Sequence, residues 1–197
     1  METSFRKDMS HLTWDEVYAR QAKRADLVGG WLDALGLKPG DQVLEIGAGP
    51  GYMSLILAER VGRDGAVYAV DRSADALAYL ERLQAERGIR HIRRIVADAA
   101  TLEPTDLHPN SALITMVLHH ADDPAGVLRN VARLLPVGAL AVIGEFDPDG
   151  PGEHGPPRAH RLAPEQVEAW CKDAGFAVLD CRHQTAEHYM LLVQRAP

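Results

Sequence analysis

The stretch VLEIGAGPGY, residues 43–52, places three glycines directly behind an apolar run that contains one glutamate. These glycines are Gly47, Gly49 and Gly51. A strand that runs into a helix through such a turn lets a ligand approach the backbone closely, and the helix N-terminus offers free N–H groups. A phosphate ligand is disfavoured, because Glu45 would repel a pyrophosphate and the G-x-G-x-x-G fingerprint requires glycine where the chain has Tyr52. The stretch therefore predicts a binding turn for a ligand with a cationic or amine-bearing end.

Strand and helix patterns alternate along most of the chain. Apolar runs of strand length and segments of helix length follow one another over residues 42–146, which is typical of parallel βαβ units. A helix is predicted over 10–36, and the last strand, 188–195, follows the sixth without a crossover and so pairs antiparallel. The predicted fold is α/β: a Rossmann-like, doubly wound, mostly parallel sheet of seven strands with an antiparallel last strand and helices on both faces.

The 197 residues fit one domain of ordinary size, spanning residues 1–197. We divide it into four parts, which are an N-terminal helical cover (1–36), a ligand-binding core (37–146), a Pro/Gly-rich loop (147–163) and a C-terminal helix with a strand hairpin (164–197). The loop is interpreted as an ordered part of the cover, because too little chain follows it to build a second core.

Composition argues against several classes of protein. The formal charge of −7 gives no overall basic field for nucleic acid. No apolar stretch approaches the roughly 20 residues of a membrane span, and the polar start does not resemble a signal peptide. Cys171 and Cys181 have neither metal-type spacing nor a disulfide framework, which favours a reducing, cytoplasmic compartment. The sequence therefore predicts a cytoplasmic protein without a membrane or nucleic-acid partner, and leaves a homodimer open.

Acidic residues close the next two predicted strands. Asp71 ends VYAVD, 20 residues after Gly51, where an acid can accept both hydroxyls of a ribose. Asp98 ends RIVAD, where it can accept from an adenine amino group while the Ala99 N–H meets a ring nitrogen. Acids at three consecutive strand ends around a glycine turn describe a nucleoside with a positive, amino-acid-like end.

From about residue 37 onwards the chain resembles the class I S-adenosylmethionine-dependent methyltransferases, particularly the small bacterial enzymes of the ubiquinone/menaquinone-biosynthesis type. The motifs that carry the resemblance are VLEIGAGPG (43–51), VYAVDRS (67–73), VADA (96–99), MVLHHADDP (116–124), LLPVGALAVIGEF (134–146) and the tail 153–176. The sequence departs from the family at two turns, with Val137 in place of a glycine and no aspartate at the start of the fourth strand. The resemblance implies S-adenosyl-L-methionine as cofactor and methyl transfer to an O, N or C nucleophile of a small-molecule acceptor.

The resemblance also implies where the cofactor binds. The family places the segment from Glu45 to Gly51 around the methionine moiety, Asp71 on the ribose, and Asp98 with Ala99 on the adenine. The predicted cofactor-binding residues are Glu45, Gly47, Ala48, Gly49, Gly51, Tyr52, Asp71, Arg72, Asp98, Ala99 and Met116.

Histidines and a carboxylate are expected beyond the cofactor, where the fourth and fifth strands end. His119, His120 and Glu145 are the predicted catalytic residues, because an oxygen or nitrogen nucleophile can need a base. A structural role stays open for each of them: one histidine bonded beneath the following helix, and Glu145 capping or pairing with an arginine.

Substrate contacts are predicted from residues on the N-terminal cover, on the Pro/Gly-rich loop and at the last strand. They are Tyr18, His154, His160 and Tyr189, whereas His183 and His188 are assigned to the surface. No metal site is predicted, because the histidines and Glu145 have suitable ligand types but no supporting local spacing.

Two other functions stay open at this point. One is a non-catalytic, S-adenosylmethionine-binding partner subunit whose acceptor pocket is closed. The other is a nicotinamide-dependent oxidoreductase, which Tyr52 and Glu45 disfavour.

Overall fold

The computed structural model describes residues 11–103 and 106–197. The strands are Gln42–Ile46 (β1), Ala66–Asp71 (β2), Ile92–Val96 (β3), Ser111–Thr115 (β4), Leu140–Phe146 (β5), Phe176–Thr185 (β6) and His188–Arg195 (β7). The α-helices are Trp14–Ala22 (α1), Ala25–Leu35 (α2), Tyr52–Val61 (α3), Ala74–Arg87 (α4), Pro124–Leu134 (α5) and Pro164–Asp173 (α6). The alternation of the central segment is thus as predicted.

All seven strands form one sheet in the order β3-β2-β1-β4-β5-β7-β6. β7 pairs antiparallel with both β5 and β6, and the other neighbours are parallel. The order reverses between β1 and β4, which pair directly, and in doubly wound sheets the ligand crevice opens beyond the strand ends at such a point. The predicted fold class is confirmed.

The sheet is covered by an apolar layer on each face. Residues such as Val43 and Leu113 pack against α2, α3 and α4, whereas Leu44 and Ile114 pack against α5 and α6. Side chains alternate between the faces along each strand. This alternation decides which residues at the strand ends can reach the cleft.

The N-terminal segment differs from the prediction of one helix over 10–36, the first residue of which lies outside the described residues. Two helices, α1 and α2, meet at Lys23 and Arg24, where Arg24 leaves the helical conformation with φ −102° and ψ 21°. No buried residue lies between Val17 and Leu27, so the apolar stripe that would hold one continuous helix on the core is interrupted. The break lets α2 bury Trp31 against the sheet while α1 lies over the strand ends.

The Pro/Gly-rich loop is held by a single buried arginine. Arg161 donates to the carbonyls of Pro156, Asp147 and His154 at 3.0, 2.8 and 2.6 Å, and to the Glu187 carboxylate at 2.5 Å. These contacts agree with an ordered loop, and the four-part division of the chain stays a prediction. Among the helices of the described residues, none has the length and apolarity needed to cross a membrane.

Candidate active site

A cleft of about 1330 Å³ opens beyond the C-terminal ends of the parallel strands. Small-molecule pockets commonly have about 300–1,000 Å³, so this cleft can hold a nucleoside together with a second ligand. The predicted site residues that line it are Gly47, Gly49, Asp71, Arg72, Asp98, Ala99, Met116, His119, His120 and His154. Those that do not line it are Ala48, Gly51, Tyr52, Glu145, Tyr18, His160 and Tyr189, and Glu45 lines a small adjoining cavity.

The glycine turn is constrained by packing at two positions and by the cleft at the third. A Cβ at Gly47 (φ +76°) would lie 2.5 Å from the Val117 side chain, and one at Gly51 (φ +92°) would overlap Leu80. A Cβ at Gly49 (φ +54°) would meet only the flexible end of Gln21, at 3.1 Å. Gly49 therefore keeps the backbone bare where the cleft begins.

Asp71 joins the glycine turn to the start of α4. Its two carboxylate oxygens accept from the Gly49 and Ser73 N–H groups, each at 2.8 Å. Burial raises the pKa of Asp71, and these two donors partly offset that effect. A carboxylate has about four acceptor sites, so two remain for hydroxyl groups of a ligand.

Glu45 is a buried carboxylate beneath the turn. Burial raises the pKa of Glu45 to about 7; the 2.6 Å hydrogen bond from the Ser54 hydroxyl acts against this, and the charge of Asp71 adds to it. A cation bound nearby would favour the ionised form. The position thus fits the expected ligand with an amine-bearing end.

The third strand end presents an exposed carboxylate on a fixed turn. Asp98 accepts from the Ala100 N–H at 2.8 Å, and the Ala99 carbonyl accepts from the Asn130 side chain at 2.8 Å. Asn130 belongs to α5, so this helix fixes the turn from behind. The backbone beside Asp98 is held ready for a planar, hydrogen-bonding ligand such as a purine.

His119, which lines the cleft, forms a buried pair with Glu145, which does not. His119 Nδ1 lies 2.6 Å from Glu145 Oε2, with side chains 2% and 1% exposed. Burial raises the pKa of Glu145, but His119 and the N–H donors of Leu118 and Phe146 outweigh it, and the pKa lies below its ordinary value. Because an ionised carboxylate accepts, Nδ1 donates, and Nε2 is the basic nitrogen of neutral His119. Among the described residues, Glu145 thus pairs with a histidine and not with an arginine.

His120 and Met116 lie close to this pair. The His120 ring is 4.1 Å from the His119 ring, and the His120 carbonyl accepts from Arg72 at 3.4 Å. Met116 has φ +55°, a left-handed conformation that is uncommon outside glycine, and donates its N–H to the Gly144 carbonyl. Strained backbone of this kind concentrates at binding and catalytic sites.

Three of the four predicted substrate residues are outside the cleft. Tyr18 packs edge-on against Tyr52 at 5.5 Å, and His160 lies exposed in a short 3-10 helix. Tyr189 is buried on the α5–α6 face, with its hydroxyl donating to the Leu162 carbonyl at 2.8 Å. His154 alone of the four lines the cleft.

Four residues that sequence reasoning did not select complete the cleft. Phe146 and His188 face each other across the β5–β7 ladder, with rings 4.7 Å apart, and His188 is only 7% exposed rather than on the surface. On α1 and just after it, Gln21 and Arg24 line the same space. Two patterns in the sequence could have identified these residues once the side of the cleft is known. Side chains in β7 alternate between the two faces of the sheet, which selects His188, and Arg24 follows Gln21 by three residues, which places both on one side of the predicted helix.

No group of three or more histidine, cysteine or acidic side chains in the described residues is arranged to hold a metal ion.

Comparisons with known proteins agree with this geometry. Residues 37–195 match the methyltransferase domain family. A 2-phytyl-1,4-naphtoquinone methyltransferase of Trichormus variabilis is 36% identical over 112 residues (56% of this chain, 49% of that protein). A ubiquinone/menaquinone biosynthesis C-methyltransferase of Xanthomonas oryzae is 32% identical over 111 residues (56% and 44%). The chain thus spans about half the length of these curated relatives.

Among solved structures, a SAM-dependent methyltransferase of Aquifex aeolicus superimposes with a TM-score of 0.84 at 20% identity. The match covers 94% of this chain and 100% of that one, and it concerns the fold. The resemblance found in the sequence is confirmed at the level of the family, while the ubiquinone type is only suggested. The chain belongs to the methyltransferase domain family, and so to the class I methyltransferases that use S-adenosylmethionine.

Proposed function

We propose that the protein transfers the methyl group of S-adenosylmethionine to an O, N or C nucleophile of a small-molecule acceptor. The observation that supports this most directly is His119, which lines the cleft beyond the predicted cofactor residues and is paired with the buried Glu145. The sulfonium methyl of the cofactor is already electrophilic when bound. The chain therefore has to align a nucleophile, exclude water and take up a proton.

The residues around the glycine turn fit the cofactor. The buried Glu45 would bind the methionine ammonium, and the bare backbone at Gly49 gives that end room. Asp71 would accept from the ribose hydroxyls with the acceptor sites that its two N–H donors leave. These roles place the reacting end towards β4 and β5, where the histidine lies.

His119 is the proposed base. Glu145 accepts a hydrogen bond from Nδ1, so the basic lone pair of the ring is on Nε2. Nε2 would take the proton that the acceptor loses. Glu145 itself acts as a positioning residue, which fixes the ring and stabilises the imidazolium that forms.

The variant His119→Asn tests whether His119 acts as a general base or has only a structural role. The Asn amide can still donate to Glu145, but it cannot accept a proton, so we expect turnover to fall roughly 10²–10⁴-fold with cofactor affinity nearly unchanged. The matched control is His120→Asn, which should retain most of the activity. The measurement is release of S-adenosylhomocysteine with a broad acceptor panel, beside calorimetry of cofactor binding.

The panel also tests the non-catalytic alternative. A protein that binds S-adenosylmethionine tightly but methylates no member of the panel would be a partner subunit. Near wild-type turnover in both histidine variants would remove histidine from the mechanism and leave alignment alone. The cytoplasmic location and the absence of membrane and nucleic-acid partners stay predictions.

A further inference from the structure

Arg24 is a cation on the cleft wall that has no counter-ion among the described residues. It is half-buried at the junction of α1 and α2, and it lines both the cleft and the small cavity beside it. Within residues 11–103 and 106–197 its guanidinium makes no hydrogen bond or ion pair, and its Cζ lies 5.9 Å from the centroid of the Phe146 ring. Five N–H donors are therefore offered to this space.

An unpaired guanidinium in such a place is unfavourable without a ligand. Burial lowers the pKa of Arg24, and the nearby Glu145 acts in the other direction without forming a salt bridge. Glu145 is already engaged by His119 and by backbone N–H groups. A half-buried charge that has lost part of its hydration requires compensation, which an anion can provide.

The position of Arg24 favours the acceptor over the cofactor as the source of that anion. One turn earlier, Gln21 faces the glycine turn, with hydrogen bonds to the Ala48 carbonyl and the Tyr52 N–H at 3.4 and 3.3 Å. Arg24 lies further along the chain, beside the Phe146 ring of β5, and its charge lowers the pKa of His188 in β7. Most of the predicted cofactor residues follow β1, β2 and β3, with Met116 after β4. Arg24 also shares the small cavity with Glu45 and Gly47, so the carboxylate of the cofactor itself is the competing anion.

His188 supplies a second, independent donor in the same place. Its Nδ1 is 2.9 Å from the Thr185 hydroxyl, whose oxygen also accepts from the Glu187 N–H at 3.1 Å. In the tautomer in which Nδ1 accepts from the Thr185 hydroxyl, the proton of neutral His188 is on Nε2. That atom is buried and has no hydrogen-bond partner among the described residues. Burial and the charge of Arg24 lower the pKa of His188, while Glu187 and Asp26 raise it less.

The other charges on this wall do not cancel Arg24. Arg20 and Lys23 also line the cleft, and so do Asp26, Glu153 and Glu187. Of these acids, Glu187 is paired with the buried Arg161. Arg20, Lys23 and Arg24 thus form a local basic group, in a cleft that elsewhere is lined by Asp71, Asp75, Asp98, Asp122 and Asp123.

We propose that the methyl acceptor is an anionic small molecule whose carboxylate or phosphate group is bound by Arg24 beside Phe146 and His188. A planar guanidinium fork matches two oxygens of such a group, and the bound anion would give the His188 N–H an acceptor. The rest of the acceptor then lies between this anchor and His119. This inference rests on the proposed function.

The test uses anions and a neutral isostere with protein saturated in S-adenosylhomocysteine. Calorimetry at low ionic strength compares benzoate and phenyl phosphate with benzamide, which has the shape of benzoate without its charge. We expect at least one anion to bind, benzamide to bind more weakly, and Arg24→Gln to weaken anion binding at least about tenfold. Arg24→Lys should lie between the two, and Arg60→Gln, which removes an exposed charge outside the cleft, should change nothing.

The results that overturn the inference are specific. Binding of neither anion, equal binding of benzamide, or an equal loss in Arg60→Gln would each do so. A tenfold loss of S-adenosylhomocysteine affinity in Arg24→Gln would assign the guanidinium to the cofactor's carboxylate instead. Anion binding needs no turnover, so this outcome is independent of whether His119→Asn disproves the proposed base.

Discussion

The two ends of the cleft are built in different ways. At the cofactor end, backbone groups and carboxylates lie at the ends of β1, β2 and β3 or in the short turns that directly follow them, and Asp71 at the end of β2 accepts from the Gly49 N–H after β1. At the acceptor end, side chains from β4, β5, β7 and the α1–α2 junction converge, and His119, Phe146 and His188 come from distant segments. The first end is specified by local backbone requirements. The second exists only after the sheet has formed, so its residues can change without disturbing the first.

The largest expected effect comes from Gly49→Val, which should abolish binding at the cofactor end and leave the acceptor end intact. A β-branched side chain cannot adopt φ +54° without strain and would enter the cleft beside Gln21. We expect calorimetry to detect no S-adenosylmethionine binding, with the fold retained.

The control for this prediction is Gly88→Val. Gly88 has φ +66° and ends α4 away from the cleft, and a Cβ at this position would have no described atom within 4 Å. We expect Gly88→Val to lower the free energy of unfolding about as much as Gly49→Val does, and to bind S-adenosylmethionine normally. Normal binding by Gly49→Val would show that the turn is only structural.

Asp71→Ala should weaken the same end without abolishing it. The variant loses the proposed acceptor for two ribose hydroxyls, each a charge-assisted hydrogen bond of roughly 1.5–3 kcal/mol, and it frees the Gly49 N–H. We expect cofactor affinity by calorimetry to fall at least about tenfold. Asp75→Ala removes an exposed carboxylate from the same wall and should have little effect, whereas unchanged affinity in Asp71→Ala would contradict the ribose assignment.

Glu45 should release a proton when S-adenosylhomocysteine binds, and this release can be measured. With its pKa at about 7, the carboxyl is mostly protonated at pH 6.5, and a bound ammonium should ionise it. Calorimetry of S-adenosylhomocysteine binding in buffers of different ionisation enthalpy should therefore show release of a fraction of a proton at pH 6.5. The release should vanish towards pH 8 and in Glu45→Gln; equal release in that variant would assign the proton to another group.

The same shift predicts the pH dependence of stability. The folded-state pKa of Glu45 lies above its ordinary value, so its contribution to stability is full below the ordinary carboxyl pKa and is lost as pH rises through about 7. Without cofactor, the melting temperature of the wild type should fall relative to that of Glu45→Gln over this window. The variant's own pH dependence serves as the baseline for the other groups.

The smallest effect is expected from Tyr189→Phe, beyond the acceptor end. The hydroxyl donates to the Leu162 carbonyl on the α5–α6 face and does not line the cleft, so its removal should reduce stability by about 0.5–1.5 kcal/mol and leave kcat within about twofold. Denaturant unfolding and turnover measure the two quantities. A tenfold fall in kcat would bring Tyr189 into the acceptor site after all.

The sequence by itself determined the fold class and the outline of the cofactor end. Glycines at 47, 49 and 51 and acids at 71 and 98 follow from the chemistry of a strand-to-turn transition, which depends on neighbours along the chain. The antiparallel pairing of β7 follows from the short connection between β6 and β7. Such local and topological constraints leave a readable pattern.

Only the tertiary structure decided the acceptor end. Sequence could place both His188 and Tyr189 near the rim, but the register with β5 sets His188 opposite Phe146 and turns Tyr189 to the other face. The break of the N-terminal helix at Arg24 likewise has no glycine or proline to mark it. These outcomes depend on contacts between segments far apart in the chain, where a shift of one residue in a strand exchanges the two faces of the sheet.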